Sequence, residues 1–391
     1  MVDLRVLFLQ DHREAGGAAR AANRFAAALR KMGVEVAVAA GDHGGGLGSY
    51  LVTGKPRRGW GRVRELFQNA EFKKRGRAKQ AEKTLREALE DFRPDLVWVH
   101  NLHGGGKWGW SEAMVAAIPA PTPVLWTLHD MWPVGQGRAF FPEKDLPQEY
   151  PGSPLAREFE RRPGLVLTSP SRWLQECVRS VHPGACVHLP YVLELERFRP
   201  EAREARRTSL GLGPRDILLL AAAENLADPR KRIPVLIEAW QKIRNEMPDR
   251  RIRLGLLGRN APRTGEEDCL TLGLVSDHET LASFFAAADL FVHVSEAESF
   301  GQVLEEAQAC GTPVMTVLAG GTNETLEQGV TGWGLPDARP ETMESGLREA
   351  LARPEVLAAM RKPARELMRT RHARGRFSAQ WAELVKMVGG V

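Results

Sequence analysis

Residues 4–9 (LRVLFL) are almost uninterrupted in apolar side chains, the pattern of a strand buried on both faces of a parallel sheet. After a polar break containing Gly16-Gly17, residues 18–33 (AARAANRFAAALRKMG) carry apolar positions at helical spacing and end on Gly33 as a C-cap. Residues 34–40 read as the next strand, so the opening is a βαβ unit with a right-handed crossover. The alternation continues with a helix over 73–92, a strand over 95–100 (DLVWVH), a helix near 111–118 and a strand over 123–129 (PVLWTLH). A Pro- and Gly-rich stretch, 133–154, precedes a strand (164–169), a helix (171–181) and a strand (186–190). This is the pattern of an open, doubly wound α/β domain.

Between residues 194 and 214 the pattern gives way to a charged segment, ELERFRPEAREARRTSLGLGP, which reads as an inter-domain linker. It then starts afresh: strand DILLLAAA, helix RIPVLIEAWQKIRNEM, strand IRLGLLG, helix HETLASFFAAA, strand DLFVHVS, helix QVLEEAQAC, strand PVMTVLA. The second half repeats the architecture of the first without repeating its sequence. Two such domains are expected to face each other with their strand C-terminal edges around one cleft, where ligands of open α/β sheets bind. The expected division is 1–195, 196–372, and a terminal helix over 373–391 that crosses back to the first domain.

The chain's 391 residues suit two domains, and 43% hydrophobic with 26% charged residues describes an ordinary globular protein. No apolar run approaches the roughly 20 residues of a membrane span, and the first residues lack a secretory layout, so a cytoplasmic location is expected. Cys177, Cys186, Cys269 and Cys310 form no C-x-x-C pair, which speaks against a disulfide framework or structural zinc. The net charge of +5 is mild but uneven. Residues 55–83 are strongly basic with Trp60, Leu66, Phe67 and Phe72 interleaved. Such a stretch could bind an anionic membrane surface or nucleic acid, or be a solvated helix face.

The most informative segment is 295–324, SEAESFGQVLEEAQACGTPVMTVLAGGTNE. A strand delivers the loop Glu298-Ser299-Phe300-Gly301 to the start of a helix, where free N–H groups and the positive helix end favour phosphate and sugar oxygens. Gly301 permits close backbone approach. A carboxylate on that helix, Glu306, can accept two hydrogen bonds from the vicinal hydroxyls of a ribose. The segment resembles the donor-binding signature of glycosyltransferase family 4, in which two glutamates are separated by seven intervening residues; here they are Glu298 and Glu306. The spacing selects Glu306 over its neighbour Glu305.

The resemblance implies a GT-B fold and a retaining transferase of a nucleotide diphosphate-sugar, a UDP-sugar foremost, with no bound metal or other cofactor. It also implies that Glu298 contacts the transferred sugar and Glu306 the ribose, with Ser299, Phe300 and Gly301 lining the donor. Residues 221–240 resemble the family's phosphate-binding turn, with Lys231 in the place of its lysine and Arg230 beside it. The arginine that precedes this lysine by six residues in the family is Asn225 here, and Arg232 stands where a glycine is usual. Gly16-Gly17 matches the family's GG motif, whose backbone approaches the donor phosphates, and is not the G-x-G-x-x-G of dinucleotide enzymes. TLHDMWP (127–133) is similar to a subset of family 4 enzymes of bacterial polysaccharide assembly, and His129 matches the histidine placed beside the transferred sugar. The loop that follows departs from that subset, so its acceptor is not carried over. A glycan, a lipid-linked group or a small molecule all remain, and no nucleic-acid partner is implied.

No Asp-x-Asp pair stands at a strand end and no carboxylate stands out as a nucleophile. Front-face attack, with the leaving diphosphate assisting deprotonation of the acceptor, is the expected route. A sugar-nucleotide epimerase or phosphorylase would share the cleft, and a basic nucleic-acid-binding protein would act through residues 55–83.

Overall fold

The computed structural model describes residues 4–13, 16–43, 46–53, 74–102, 112–133, 162, 164–181 and 184–388. The chain divides into two compact units, one of Met1–Val192 with Gly375–Val391 and one of Leu193–Arg374. Residues 54–73, most of the basic stretch, and 134–152, the loop after TLHDMWP, lie outside the described residues.

In the first unit, β1 (Arg5–Gln10), β2 (Glu35–His43), β4 (Leu96–Val99), β5 (Val124–Thr127), β6 (Val166–Ser169) and β7 (Cys186–His188) are parallel neighbours. A further strand, β3 (Gly46–Thr53), pairs antiparallel with β2 and completes the order β3-β2-β1-β4-β5-β6-β7. The helices are α1 (Gly16–Lys31), α2 (Lys74–Phe92) and α3 (Arg172–Val181), and the helix expected near 111–118 is a 3-10 turn over Glu112–Ala117. The near-continuous apolar strands are buried on both faces, as parallel sheets require. Trp98 and Trp126 are the largest side chains sealed in this core. Trp98 donates to Thr127 at 2.7 Å, which satisfies its indole N–H inside. The terminal helix α10 (Arg376–Met387) belongs to this unit, and its Trp381 stacks on Trp98 with ring centroids 5.2 Å apart.

The second unit is a six-stranded parallel sheet of β8 (Ile217–Asn225), β9 (Ile252–Arg259), β10 (Cys269–Gly273), β11 (Leu290–His293), β12 (Val314–Val317) and β13 (Gly332–Leu335). Its order is β10-β9-β8-β11-β12-β13. Around it lie α4 (Arg203–Ser209), α5 (Ile233–Glu246), α6 (His278–Ala287), α7 (Gln302–Ala309), α8 (Pro340–Ala352) and α9 (Pro354–Arg371). The order reverses between β8 and β11, and ligands of such sheets bind outside the strand C-termini at that reversal.

The segment over 194–214 is not a free linker. It folds into a 3-10 turn (Pro200–Ala202) and α4, packed within the second unit. The reason lies in its arginines: Arg203 and Arg207 both pair with Asp289, at 2.5 and 2.9 Å. With Arg361 they also donate to the carbonyls of residues 286–288 at the end of α6, a helix terminus that needs such donors. Asp289 in turn accepts from the backbone N–H of Leu218 at 2.8 Å, tying the segment to β8.

Candidate donor site

The two loops that flank the reversal in the second sheet carry the predicted chemistry. One leaves β8 and forms the turn Pro229–Lys231; the other leaves β11 and runs into α7. Their backbones meet where the Glu296 N–H donates to the Arg230 carbonyl at 3.3 Å. Arg232 pairs with Glu296 at 3.4 Å, and the Lys231 ammonium donates to Glu298 Oε1. Thus residues 67 apart in sequence form one cluster.

Arg232 explains how this turn survives the loss of the expected glycine. It adopts φ +49 and ψ +30, the left-handed conformation that glycine supplies without strain. An arginine there costs about 1 kcal/mol. Arg230 turns back instead: its guanidinium is bidentate on Asp228, at 3.2 and 2.6 Å, and this hydrogen bonding holds the Asp228 carboxyl below its ordinary value. Arg230 is therefore not aimed at Glu298 with Lys231. Asn225 accepts from Ala227 N–H at 3.2 Å and from the Asn260 amide at 3.0 Å, so it shapes the turn rather than charging it.

Glu298 is largely buried, its side chain only 15% exposed. Burial alone would raise its carboxyl, but the Lys231 charge, with the hydrogen bond and charge of His293, holds it well below the usual carboxylate range. His293 Nε2 lies 3.3 Å from Oε1, the same oxygen that Lys231 holds. Oε2 accepts no hydrogen bond among the described residues, so one oxygen is anchored and the other is not.

Gly301 caps α7 at φ +94, and Ser299 and Phe300 before it are buried. The second Gly-rich turn, 320–321, lies on this loop: the Gly321 N–H donates to the Glu298 carbonyl at 3.0 Å. A Cβ on Gly321 would fall 2.1 Å from the Ser299 carbonyl oxygen, and backbone cannot move aside as a side chain does. Gly321→Ala is expected to cost about 3 kcal/mol of stability by overpacking and to displace the Glu298 loop. Thermal unfolding checks this, and an unchanged midpoint would mean that the two turns are not packed so closely.

On α7 the adjacent glutamates part company. Glu305 pairs with His372 at 3.0 Å and Arg371 at 3.6 Å, which ties α7 to the end of α9. Burial works to raise its carboxyl, yet His372 and Arg371 hold it below the ordinary value. Glu306 is fully buried on the same helix. The structure thus assigns Glu305 to the scaffold.

In the first unit, Gly16 and Gly17 begin α1 after β1, and His129 follows β5. Both ring nitrogens of His129 are engaged: Nδ1 lies 2.8 Å from the Tyr191 hydroxyl and Nε2 lies 3.0 Å from His100 Nδ1. Burial, with the nearby His129, keeps His100 well below the ordinary histidine value. His100, Tyr191 and His293 were not singled out from sequence. His100 and His293 end apolar strands and read there as core; Tyr191 stands in the PYVLE segment, where the family has a PNG-V-D string.

Residues 15–190 match the family model described as Glycosyltransferase Family 4, and residues 216–353 match the one described as Glycosyl transferases group 1. The chain belongs to glycosyltransferase family 4. Among its relatives, the D-inositol 3-phosphate glycosyltransferase of Saccharomonospora viridis is 34% identical over 207 residues, which cover 49% of this chain and 46% of that protein. D-inositol 3-phosphate glycosyltransferase 2 of Catenulispora acidiphila is 30% identical over 278 residues, covering 66% and 58%. The match thus spans about half the length of these relatives. Sucrose-phosphate synthase of Thermosynechococcus elongatus superimposes with a TM-score of 0.74 at 19% identity, covering 98% of this chain and 99% of that one. Anabaena HepE, solved in complex with UDP and glucose, gives 0.66 at 17% identity with coverage of 98% and 99%. Those likenesses concern the fold, which is the α/β GT-B architecture of two doubly wound domains.

Proposed function

We propose that this family 4 chain is a retaining glycosyltransferase that moves a sugar from a nucleotide diphosphate-sugar, a UDP-sugar, to a glycan, lipid-linked or small-molecule acceptor, without a bound metal. The observation that carries the proposal is the meeting of Lys231 and Glu298 at the strand-order reversal of the second sheet. A lysine and a carboxylate with one unanchored oxygen are what a diphosphate joined to a hydroxyl-rich ring requires. The complex of the Anabaena structure with UDP and glucose supports uridine as the nucleoside.

In this reading Lys231 exchanges Glu298 for the diphosphate, and the N-terminus of α7 adds its partial positive charge. Glu298 Oε2 accepts from a sugar hydroxyl, and Glu306 accepts from the ribose. The bond from the anomeric carbon to the diphosphate oxygen breaks as the acceptor oxygen attacks the same face. The acceptor proton passes to the departing diphosphate, and configuration is retained. The match of His129 to the histidine that the family places beside the transferred sugar supports the same role here; its ring is held at both nitrogens. Cytoplasmic placement and contact of residues 55–83 with anionic lipid belong to the same proposal. No helix among the described residues is long and apolar enough to cross a membrane.

The test is turnover of UDP-sugars under chelation. Activity is expected to persist in excess EDTA, because Lys231 supplies the charge that a metal would otherwise bring. Complete loss in EDTA, restored by magnesium or manganese, would reassign the charge balance.

A further inference from the structure

His293 closes β11 in the core of the second unit, 4% exposed, where a strand residue ordinarily only packs. Its ring is held from both sides. Nδ1 lies 3.2 Å from the Thr316 hydroxyl on the neighbouring strand β12, where residues 293 and 316 are register partners. Nε2 lies 3.3 Å from Glu298 Oε1. An ionised carboxylate only accepts, so Nε2 carries a proton whichever form the rest of the ring takes. The groups facing this pair are Lys231 from the turn after β8, Thr316 from β12 and Glu298 itself.

Lys231 and His293 share Oε1, but only Lys231 is on a turn that a diphosphate would engage. If Lys231 moves to phosphate, a buried carboxylate is left with a single donor, and that donor is rooted in the sheet. We propose that His293 is the positioning residue of Glu298: it holds Oε1 against the end of the sheet, so that Oε2 keeps its aim when Lys231 is drawn away. Thr316 sets the ring plane from behind. The proposal rests on the reading that Glu298 touches the sugar of the donor.

The experiment compares His293→Leu, His293→Gln, Thr316→Val and Glu298→Ala in the full chain. Each is assayed for UDP binding by calorimetry and for acceptor-independent turnover of UDP-glucose. His293→Leu is expected to lose turnover about 10- to 100-fold, because a displaced group misaligns the sugar. UDP affinity should stay within about threefold, since neither residue contacts the nucleotide. His293→Gln, whose amide N–H can reach where Nε2–H stood, should recover most of the loss, and His293→Leu added to Glu298→Ala should cost nothing further. If His293→Leu does not fold, Thr316→Val carries the same comparison with a smaller loss in the same direction.

Full turnover by His293→Leu alongside an inactive Glu298→Ala would overturn the proposal. Full turnover by Glu298→Ala would instead strike the sugar role itself. The ligand-free chain separates the two: histidine nitrogen NMR should find the His293 proton on Nε2 and should see its resonance move in Glu298→Gln. A bare Nε2, or indifference to Glu298→Gln, sinks the proposal whatever the catalytic result.

Discussion

Lys231→Ala is expected to lose turnover by about 100- to 1,000-fold, the scale of removing a preorganised charge from a leaving group. It should also lose stability, by about 2–4 kcal/mol at neutral pH, because it strands a mostly buried partner. Both side chains are largely removed from water, at 24% and 15% exposure, so the pair is not a screened surface bridge. The pH dependence fixes which partner is responsible. Glu298 has a folded pKa held far below its unfolded value near 4.5. The pair's stabilisation is therefore fully present above about pH 4.5 and fades as pH falls toward the folded value. In the variant, burial is opposed by His293 alone and the carboxyl rises. The stability gap between variant and wild type should accordingly shrink in acid. Glu298→Gln added to Lys231→Ala should restore most of the stability and none of the turnover. A gap that is independent of pH, or a double variant as unstable as the single, would mean that Lys231 does not serve Glu298 in the folded chain.

The parts of this site that were legible from sequence are those written in local spacing. Seven residues between Glu298 and Glu306 place both on one loop-helix element, and the apolar run before them places that element at the C-terminal end of a strand. What spacing could not supply is the identity of partners distant in the chain. The role of Glu305 is decided by His372, 67 residues away, and nothing in EE as a dipeptide reveals it. His293 was hidden because a histidine inside DLFVHVS looks like core, and its burial is indeed core burial. Its chemistry comes from what stands at its two nitrogens. The arginine-rich 194–214 misled for a related reason. Charge density reads as solvated linker, yet here the charges close on Asp289 and on helix-end carbonyls, so a polar sequence packs as scaffold. The missed strands β3, β10 and β13 are all sheet edges, short or Gly-containing, and their sequences carry little apolar strand pattern.

The Arg232 turn shows a different limit. Sequence flagged a missing glycine, and the structure keeps the left-handed backbone regardless, held by contacts on both flanks. A residue type is evidence about conformation only until tertiary contacts outweigh about 1 kcal/mol. The family's turn can therefore be preserved in shape while its charge is redistributed. Asn225 brings no cation, Arg230 is bound to Asp228, and Lys231 stands as the turn's contribution to the Glu298 cluster. This concentration of function is why Lys231 carries so large an expected effect.

The two glutamates are expected to fail in different ways, and the contrast tests the whole assignment. Glu306 lies fully buried on α7, one position from a scaffold glutamate, and in the proposed complex it grips the ribose, remote from the bond that breaks. Glu306→Ala should weaken UDP and UDP-sugar alike, by about 2–4 kcal/mol for a lost pair of charge-assisted hydrogen bonds. Glu298→Ala should not weaken UDP binding, since in the proposed complex Glu298 touches the sugar, which UDP lacks, and its removal leaves Lys231 free for the diphosphate. Its loss should appear in turnover of bound donor, about 100-fold, because sugar placement matters most at the transition state. Glu305→Ala supplies the control: it should lower the unfolding temperature through the lost tie to His372 and leave the ratio of UDP affinity to turnover unmoved. Calorimetry with UDP on the three variants, each checked for folding, separates these outcomes. Unimpaired UDP binding by Glu306→Ala would remove it from the ribose. Equal losses of UDP affinity in Glu298→Ala and Glu306→Ala would mean that the loop before α7 collapses as a unit, and that the division of labour between the two carboxylates is wrong.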